Sequence, residues 1–268
     1  MNQHLIETAR AFDRVAADYD GPLGNNALIQ KMRARTMDVI QHLLPRGSTL
    51  LDLGCGTGID AEYLAARGYR VVAVDSSPAM VTRTNERLER AGLTHLASAE
   101  CVGIQELARL DTAGFEGAYS NFGAVNCVPD LQTLASALAL KLKPRGLFVA
   151  SVIGRYCPWE LVFYTARGDV KRARVRLARG SVPVPMSGQT IWSRYYSPPE
   201  FYRAFASDFE LVGLCALNLF LPPPYLIHLY QRQPRVMRLL ERLDHTLDQL
   251  PLLRNLGDHF LISLRKKH

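Results

Sequence analysis

The chain has 268 residues, of which 48% are hydrophobic and 21% charged, with 32 Lys+Arg against 25 Asp+Glu and a formal net charge of +7. That balance excludes a disordered or fibrous chain and supplies enough apolar material for one domain with insertions or two small domains. The excess of base fits either an anionic partner (nucleic acid, a membrane face or an acidic substrate) or a plain solvated surface.

In chain order, the first twenty residues carry charges throughout and no apolar core, so no secretory signal is expected there. Leu28 to Leu44 reads as an amphipathic helix stopped by Pro45. Thr49–Leu53 is a buried strand, Ile59–Arg67 a helix closed by Gly68, and Arg70–Val74 a second strand. Pro78–Ala91 is a helix with Ser77 as its cap and proline at its first position. Strands recur near Ala99–Val102, Gly117–Asn121 and Gly146–Val152, with a helix at Leu131–Leu142 before the last. Arg155–Ser197 is long, irregular and dense in Arg and Pro. Pro198–Ala206 reads as a helix and Phe209–Leu219 as a strand. Leu221–Asp258 starts Pro-rich and continues as an amphipathic helix, and "HFLISL" reads as a final strand. Strands alternating with helices imply an α/β fold with a doubly wound, mostly parallel sheet.

Five cysteines, an odd count without a CxxC pair, argue against disulfides or a zinc site and for a reducing cytoplasm. No metal is expected. The longest apolar run, Leu211–Leu221, is too short to span a bilayer and ends in three prolines. A soluble, cytoplasmic location is the expectation, with a peripheral membrane contact left open.

The strongest signal is "LLDLGCGTG". Gly54, Gly56 and Gly58 stand between a strand and a helix, where glycine permits a tight turn and lets a ligand lie against bare backbone. The helix N-terminus beyond adds free N–H groups and partial positive charge. The dinucleotide fingerprint would need glycine or alanine where Ile59 stands, and a G-K-[ST] phosphate loop is absent. Asp75, 21 positions past Gly54, ends the second strand. That is close to the roughly 20 expected of a carboxylate that takes two ribose hydroxyls.

These two stretches, "LLDLGCGTG" and "VDSSPAM", resemble the first two motifs of class I S-adenosylmethionine-dependent methyltransferases. "FDRVAADYD" and "LKPRGLFVAS" are similar to the small-molecule branch that contains quinone-biosynthesis enzymes. The resemblance runs from about Phe12 to Ser151 and returns in the last two strands. It implies a Rossmann-like domain over residues 1–268 with an antiparallel last strand. Insertions at about 155–197 and 221–258 would form the acceptor site. S-adenosylmethionine (SAM) is the implied cofactor. Asp52 would face the methionine amino group, and Gly54, Cys55 and Gly56 would line the methionine part. Asp75 would hold the ribose beside Ser76, and Met80 would either pack near the adenine or belong to the core. Tyr19 and Arg33 are candidates to close over the methionine end, Arg33 by pairing with its carboxylate. Asn121 and Phe122 would border the transferred methyl. Where the family usually has an acid and a small residue after the third strand, this chain has Ile104 and Gln105. Gln105 is the substitute candidate for the adenine contact.

The expected acceptor is a small, lipophilic or aromatic molecule. An Asn/Asp-Pro-Pro-aromatic motif is missing after the fourth strand, and "LPPPY" at 221–225 follows a later one, so a nucleic-acid substrate is not expected. Cys127 and Cys157 lack a neighbouring motif that would make them nucleophiles. An oxygen or carbon acceptor needs a base. His228, Tyr156, Glu160, Tyr195 and Tyr196 are the candidates, none with a partner fixed by spacing. The segment Arg167–Arg179 reads as a solvated face or as a contact for an anionic partner. The helix carrying Val236, Leu239, Leu240, Leu243, Leu247 and Leu250 reads first as core packing or a homodimer contact, and after that as a membrane contact. The alternatives to a small-molecule enzyme are an RNA or protein methyltransferase and a SAM-binding subunit without activity.

Overall fold

A computed structural model describes residues 3–22 and 24–268. Helices α1 (Gln3–Val15) and α2 (Ala27–Leu43) precede β1 (Thr49–Leu53), α3 (Ile59–Ala65), β2 (Arg70–Asp75), α4 (Pro78–Arg90), β3 (Ala97–Cys101), β4 (Phe115–Ser120), α5 (Leu131–Lys141) and β5 (Leu142–Ile153). Then come α6 (Pro158–Thr165), α7 (Val170–Ala173), β6 (Val182–Met186), β7 (Gln189–Ser193), α8 (Pro198–Phe205), β8 (Phe209–Leu217), α9 (Ile227–Arg232), α10 (Pro234–Leu247) and β9 (His259–Lys266).

Seven strands form one sheet in the order β3-β2-β1-β4-β5-β9-β8. The first five are parallel, and β9 inserts antiparallel between β5 and β8. This is the expected Rossmann-like arrangement with its antiparallel last strand. Strand order reverses between β1 and β4, so the carboxyl ends of those two strands open a crevice where such folds take ligands.

The sheet is apolar on both faces because helices cover both. One face packs Phe115, Phe148, Phe201, Phe205, Phe209 and Phe260 with α5 and α8. The other packs Met32, Met37, Ile40, Leu64 and Leu88 from α2, α3 and α4. Each such side chain contributes about 1.5–3 kcal/mol on leaving water. Local chemistry fixes the helix starts. Asn26 accepts from the amides of Leu28 and Ile29 to begin α2. Ser77 accepts from Met80 N ahead of Pro78 to begin α4, and Ser197 with Glu200 forms a capping box on α8.

One expectation changes. The segment read as irregular over 155–197 holds α6, α7 and the β6–β7 hairpin, and the N-terminal stretch, for which no element is expected, forms α1. The hairpin turns at Ser187 and Gly188, both at positive φ (47° and 76°), a two-residue turn whose twist suits paired strands. It seats on α1: Trp192 Nε1 donates to Glu7 Oε2 at 2.7 Å, and Trp192 N donates to Thr8 Oγ1 at 3.1 Å. The His4 ring stacks on Trp192 at 3.6 Å. Among the described residues, no helix is long and apolar enough to cross a membrane.

Candidate active site

The turn after β1 is built on the end of β2. The amides of Gly54 and Cys55 both donate to Val74 O, at 2.8 and 3.1 Å. Gly54 has φ +80°, and a Cβ there would stand 2.4 Å from the Ala124 Cβ. Gly58 has φ +81°, and its Cβ would stand 2.7 Å from Thr84 Cγ2. Those two glycines are demanded by packing. Gly56 is different. It too has positive φ (+55°), but a Cβ there would meet only Tyr19 Cε1, at 3.8 Å. Its backbone therefore borders open space at the crevice, a cradle that a side chain would fill.

Asp75 closes one side of the cradle. Its Oδ2 accepts from Gly56 N and its Oδ1 from Ser77 N, both at 2.9 Å. Each oxygen keeps a further lone pair for a hydroxyl donor. Burial pushes this carboxyl up, and the amides of Ser77, Gly56 and Ser76 pull it only part of the way back. Ser76 beside it is half-buried. Met80 has no exposed surface, so it lies behind the site as core rather than in its wall.

The other side of the cradle is acidic. Asp52, buried at the end of β1, accepts from the Tyr119 hydroxyl at 2.9 Å. Burial first and Asp60 second push its carboxyl well above the usual range, against that hydrogen bond. Asp60 is better compensated: Arg33 Nε donates to its Oδ1 at 2.6 Å and Asn121 Nδ2 to its Oδ2 at 3.0 Å. Arg33 Nη1 also donates to Asn25 Oδ1 at 2.8 Å, and its guanidinium lies 4.9 Å from the Phe122 ring centroid. Arg33 is thus engaged within the protein by two of its nitrogens.

The loop after β4 carries Asn121 and Phe122 to the same place. Asn121 Oδ1 accepts from Phe122 N at 3.1 Å and from Thr36 Oγ1 at 3.4 Å. Phe122 has φ 52° and Gly123 φ 78°. A left-handed aromatic residue costs on the order of 1–2 kcal/mol, a strain that clusters at functional loops. Tyr19 covers the site from the segment after α1, and burial together with Asp75 pushes its hydroxyl to about 12. Gln105 folds its amide over Gly103 and is half-buried at the outer end of the crevice. Cys55 points away, its Sγ 3.5 Å from Thr84 Oγ1.

The base candidates separate. His228 stands exposed on α9, and Tyr156 is exposed beyond β5. Tyr195 and Tyr196 are buried. Glu160 is committed to a buried ion pair: Arg176 Nε and Nη2 donate to its two oxygens at 2.8 and 2.6 Å, and the Tyr225 hydroxyl donates to Oε1 at 2.6 Å. Acting as a base would cost Glu160 that pairing. Burial pushes the thiols of Cys127 and Cys157 up to about 12, the opposite of an activated nucleophile.

Several working residues have no signal in the sequence. Asp20 accepts from Thr57 Oγ1 at 2.6 Å and pairs with Arg87 at 2.5 Å, tying the N-terminal segment to the glycine turn. Asp13 of α1 accepts from Ser77 Oγ at 2.6 Å and Ala79 N at 3.1 Å, at the start of α4. A second pair lies where β9 begins. His259 Nδ1 is 2.8 Å from Asp258 Oδ2, and Asp258 Oδ1 accepts from Arg176 Nη2 at 2.7 Å. His259 faces Ile153 across the β5–β9 ladder, and the Ile153 side chain lies against Gly123 in the loop after β4. His259 Nε2 has no hydrogen-bond partner among the described residues. No group of three or more His, Cys, Asp or Glu able to hold a metal ion occurs among those residues either.

Residues 50–146 match the family model described as "Methyltransferase domain". The chain is 33% identical to an uncharacterized methyltransferase of Schizosaccharomyces pombe over 114 residues, 40% of this chain and 39% of that one. It is 29% identical to a ubiquinone biosynthesis O-methyltransferase of Alkalilimnicola ehrlichii over 156 residues, 58% of this chain and 62% of that one. It therefore spans less than two thirds of the length of either relative. Among solved structures it resembles a geranyl diphosphate C-methyltransferase from Streptomyces coelicolor A3(2), with a TM-score of 0.64, 16% identity, and coverage of 99% of this chain and 98% of that one. At that identity the likeness speaks for the fold.

Proposed function

We propose that this chain, whose residues 50–146 match the methyltransferase-domain model, is a class I S-adenosylmethionine-dependent enzyme that transfers the methyl group of SAM to a small, lipophilic or aromatic acceptor. The single observation that carries the reading is the Gly56–Asp75 cradle. Backbone is left bare at Gly56, beside a carboxylate fixed by that same glycine's amide at 2.9 Å. The donor set fits SAM. Asp75 has lone pairs for two ribose hydroxyls. Asp52, buried and short of donors, suits an ammonium group. Asn121, Phe122 and Tyr19 would enclose the methionine end. When bound, SAM supplies an electrophilic methyl on a sulfonium.

The protein's share of the reaction is alignment, exclusion of water and removal of a proton. Tyr19 and Phe122 narrow the mouth of the site and keep it dry. Asn121, held by Asp60 and Thr36, fixes the loop that borders the acceptor. For an oxygen or carbon acceptor, the His259–Asp258 pair is the proton acceptor we assign. With Nδ1–H donating to Asp258 Oδ2, Nε2 would keep its lone pair to accept a proton, and Arg176 holds Asp258 ionised. The ubiquinone biosynthesis O-methyltransferase named above supports a small, lipophilic acceptor class.

Methyl-labelled SAM incubated with the protein and a lysate of its own source tests the reading, with Asp75→Ala as control. Label in the organic-soluble fraction that vanishes with the variant is the expected result. Label in RNA or protein would overturn the acceptor class. SAM binding without transfer to any fraction would make the chain a binding subunit.

A further inference from the structure

We propose that α10 is a docking surface for an anionic lipid bilayer. Of its fourteen residues only Met237 is buried. Val236, Leu239 and Leu243 stand 49%, 58% and 37% exposed, and Leu252 just beyond is 84% exposed. The core-packing expectation holds for Leu240, which packs with Met237 against Leu28 and Leu221, and is corrected for Val236, Leu239 and Leu243. Spaced by three and four residues, Val236, Leu239 and Leu243 form one outward stripe.

The charges on the helix are sorted. Its two glutamate and aspartate side chains nearest the stripe turn inward. Glu241 pairs with Lys31 and accepts from Tyr230, and Asp244 Oδ1 accepts from Phe220 N at 2.6 Å. Its arginines turn outward: Arg235, Arg238 and Arg242 are exposed, as is Arg232 at the end of α9. The outer face thus presents apolar side chains flanked by cations alone. A neighbouring face repeats the combination. α6 exposes Val162, and Arg167, Lys171 and Arg172 follow it in the open. Between α6 and the α9–α10 pair runs a cleft of about 390 Å³ lined by Trp159, Phe163, Leu229 and Met237, with Arg167 and Arg232 at its rim.

A stripe of Leu and Val beside Arg, on a helix too short and too polar to span, is the pattern of a helix that lies in a membrane interface. Anionic headgroups complement the arginines, whose stems can lie along the apolar boundary. A second copy of the chain is the poorer occupant. Two-fold pairing of this face would bring the same unpaired arginines against each other.

The test is flotation with vesicles of phosphatidylcholine alone and of phosphatidylcholine doped with phosphatidylglycerol. The wild type should float with the anionic vesicles, stay down with the neutral ones, and lose binding as salt rises. Leu239→Ser with Leu243→Ser, both exposed and so safe for the fold, should cut the bound fraction about tenfold or more. Arg235→Gln with Arg238→Gln and Arg242→Gln should abolish the preference for anionic lipid. Asp75→Ala should float as the wild type does, which separates this surface from the proposed cofactor site. Absence of flotation with anionic vesicles would overturn the proposal. So would a lipid-free dimer in sedimentation that the leucine variants dissolve.

Discussion

Replacing Arg176 by Met strips the cation from a buried carboxylate pair, and the cost can be worked from the contacts. Arg176 donates to both oxygens of Glu160, to Asp258 Oδ1 and O, and to Gly154 O, within 2.6–3.2 Å. All three side chains are buried. Removing one partner from a buried ion network costs about 3–5 kcal/mol, because the remaining charges stay desolvated. At about 2.1 cal/mol/K per residue, 268 residues give an unfolding entropy of roughly 0.56 kcal/mol/K. The Tm should fall by roughly 5–9 °C. The pH dependence supplies the sharper check. In the wild type burial pushes Asp258 up, but Arg176 and then His259 outweigh it and hold the carboxyl far below its usual range. That group stabilises the fold above the ordinary carboxylate pKa and loses the contribution only as pH falls through its depressed value. In Arg176→Met, Glu160 and Asp258 face each other with no guanidinium between them, and Tyr225 still donates to Glu160 while His259 stays beside Asp258. At least one carboxyl then titrates high, and stability is lost as pH rises past its unfolded value. Urea unfolding of both proteins should show the full deficit near about pH 8 and a smaller one near about pH 5. A deficit under about 1 kcal/mol, or one that grows on acidification, would refute the reasoning.

Three further outcomes are expected. Gly56→Ala should leave Tm within a few degrees of wild type while SAM binding drops at least about tenfold by calorimetry. Gly54→Ala, whose Cβ would meet Ala124 at 2.4 Å, should unfold or aggregate. Equal damage from both would deny the cradle a ligand role. His259→Asn should lower kcat by about a hundredfold or more and leave SAM affinity and Tm unchanged. A purely structural His259 would instead show as lost Tm with kcat per folded molecule intact. In a thiol-labelling time course near neutral pH, Cys101 should react first, because it is exposed while Cys127, Cys157 and Cys215 are held at about 11 to 12 by burial. Early modification of Cys127 would reopen a nucleophilic role for it.

The parallel half of the sheet was readable because each of its elements announces itself locally. β1 and β2 are apolar runs, α4 opens with Ser77-Pro78, and Gly68 closes the turn after α3. The β6–β7 hairpin was hidden by Pro183 and Pro185, which ordinarily speak against a strand. A two-stranded ribbon tolerates them because one edge of each strand is free. The Ser187-Gly188 turn was the available clue. The cofactor-side residues Asp52, Gly54, Gly56 and Asp75 were legible because they lie at strand ends and on the turn. Asp13 and Asp20 were not, since they act on partners 64 and 37 positions away. Arg176 escaped for the same reason. In a run of arginines nothing local marks the one whose partners, Glu160 and Asp258, lie 16 and 82 positions off.

The net charge of +7 is an average over two opposite fields. At the crevice, Asp52, Asp60 and Asp75 converge with Arg33 as the nearby cation, and Asp60 takes most of that guanidinium. Asp52 is left with one hydroxyl donor inside a buried pocket, so the pocket is under-supplied with positive charge. A ligand carrying a cation relieves that debt of compensation, and an anionic ligand deepens it. On α10 the sorting runs the other way, with acids folded inward and arginines outward. One surface therefore selects a cationic ligand and the other an anionic one. Exposed arginines cluster on that outer face, which is why the net charge misleads when read as the charge preference of the crevice. A phosphate-rich substrate drawn to the arginines would still have to enter a pocket walled by carboxylates. That argues for a neutral acceptor in the crevice and an anionic surface beneath α10.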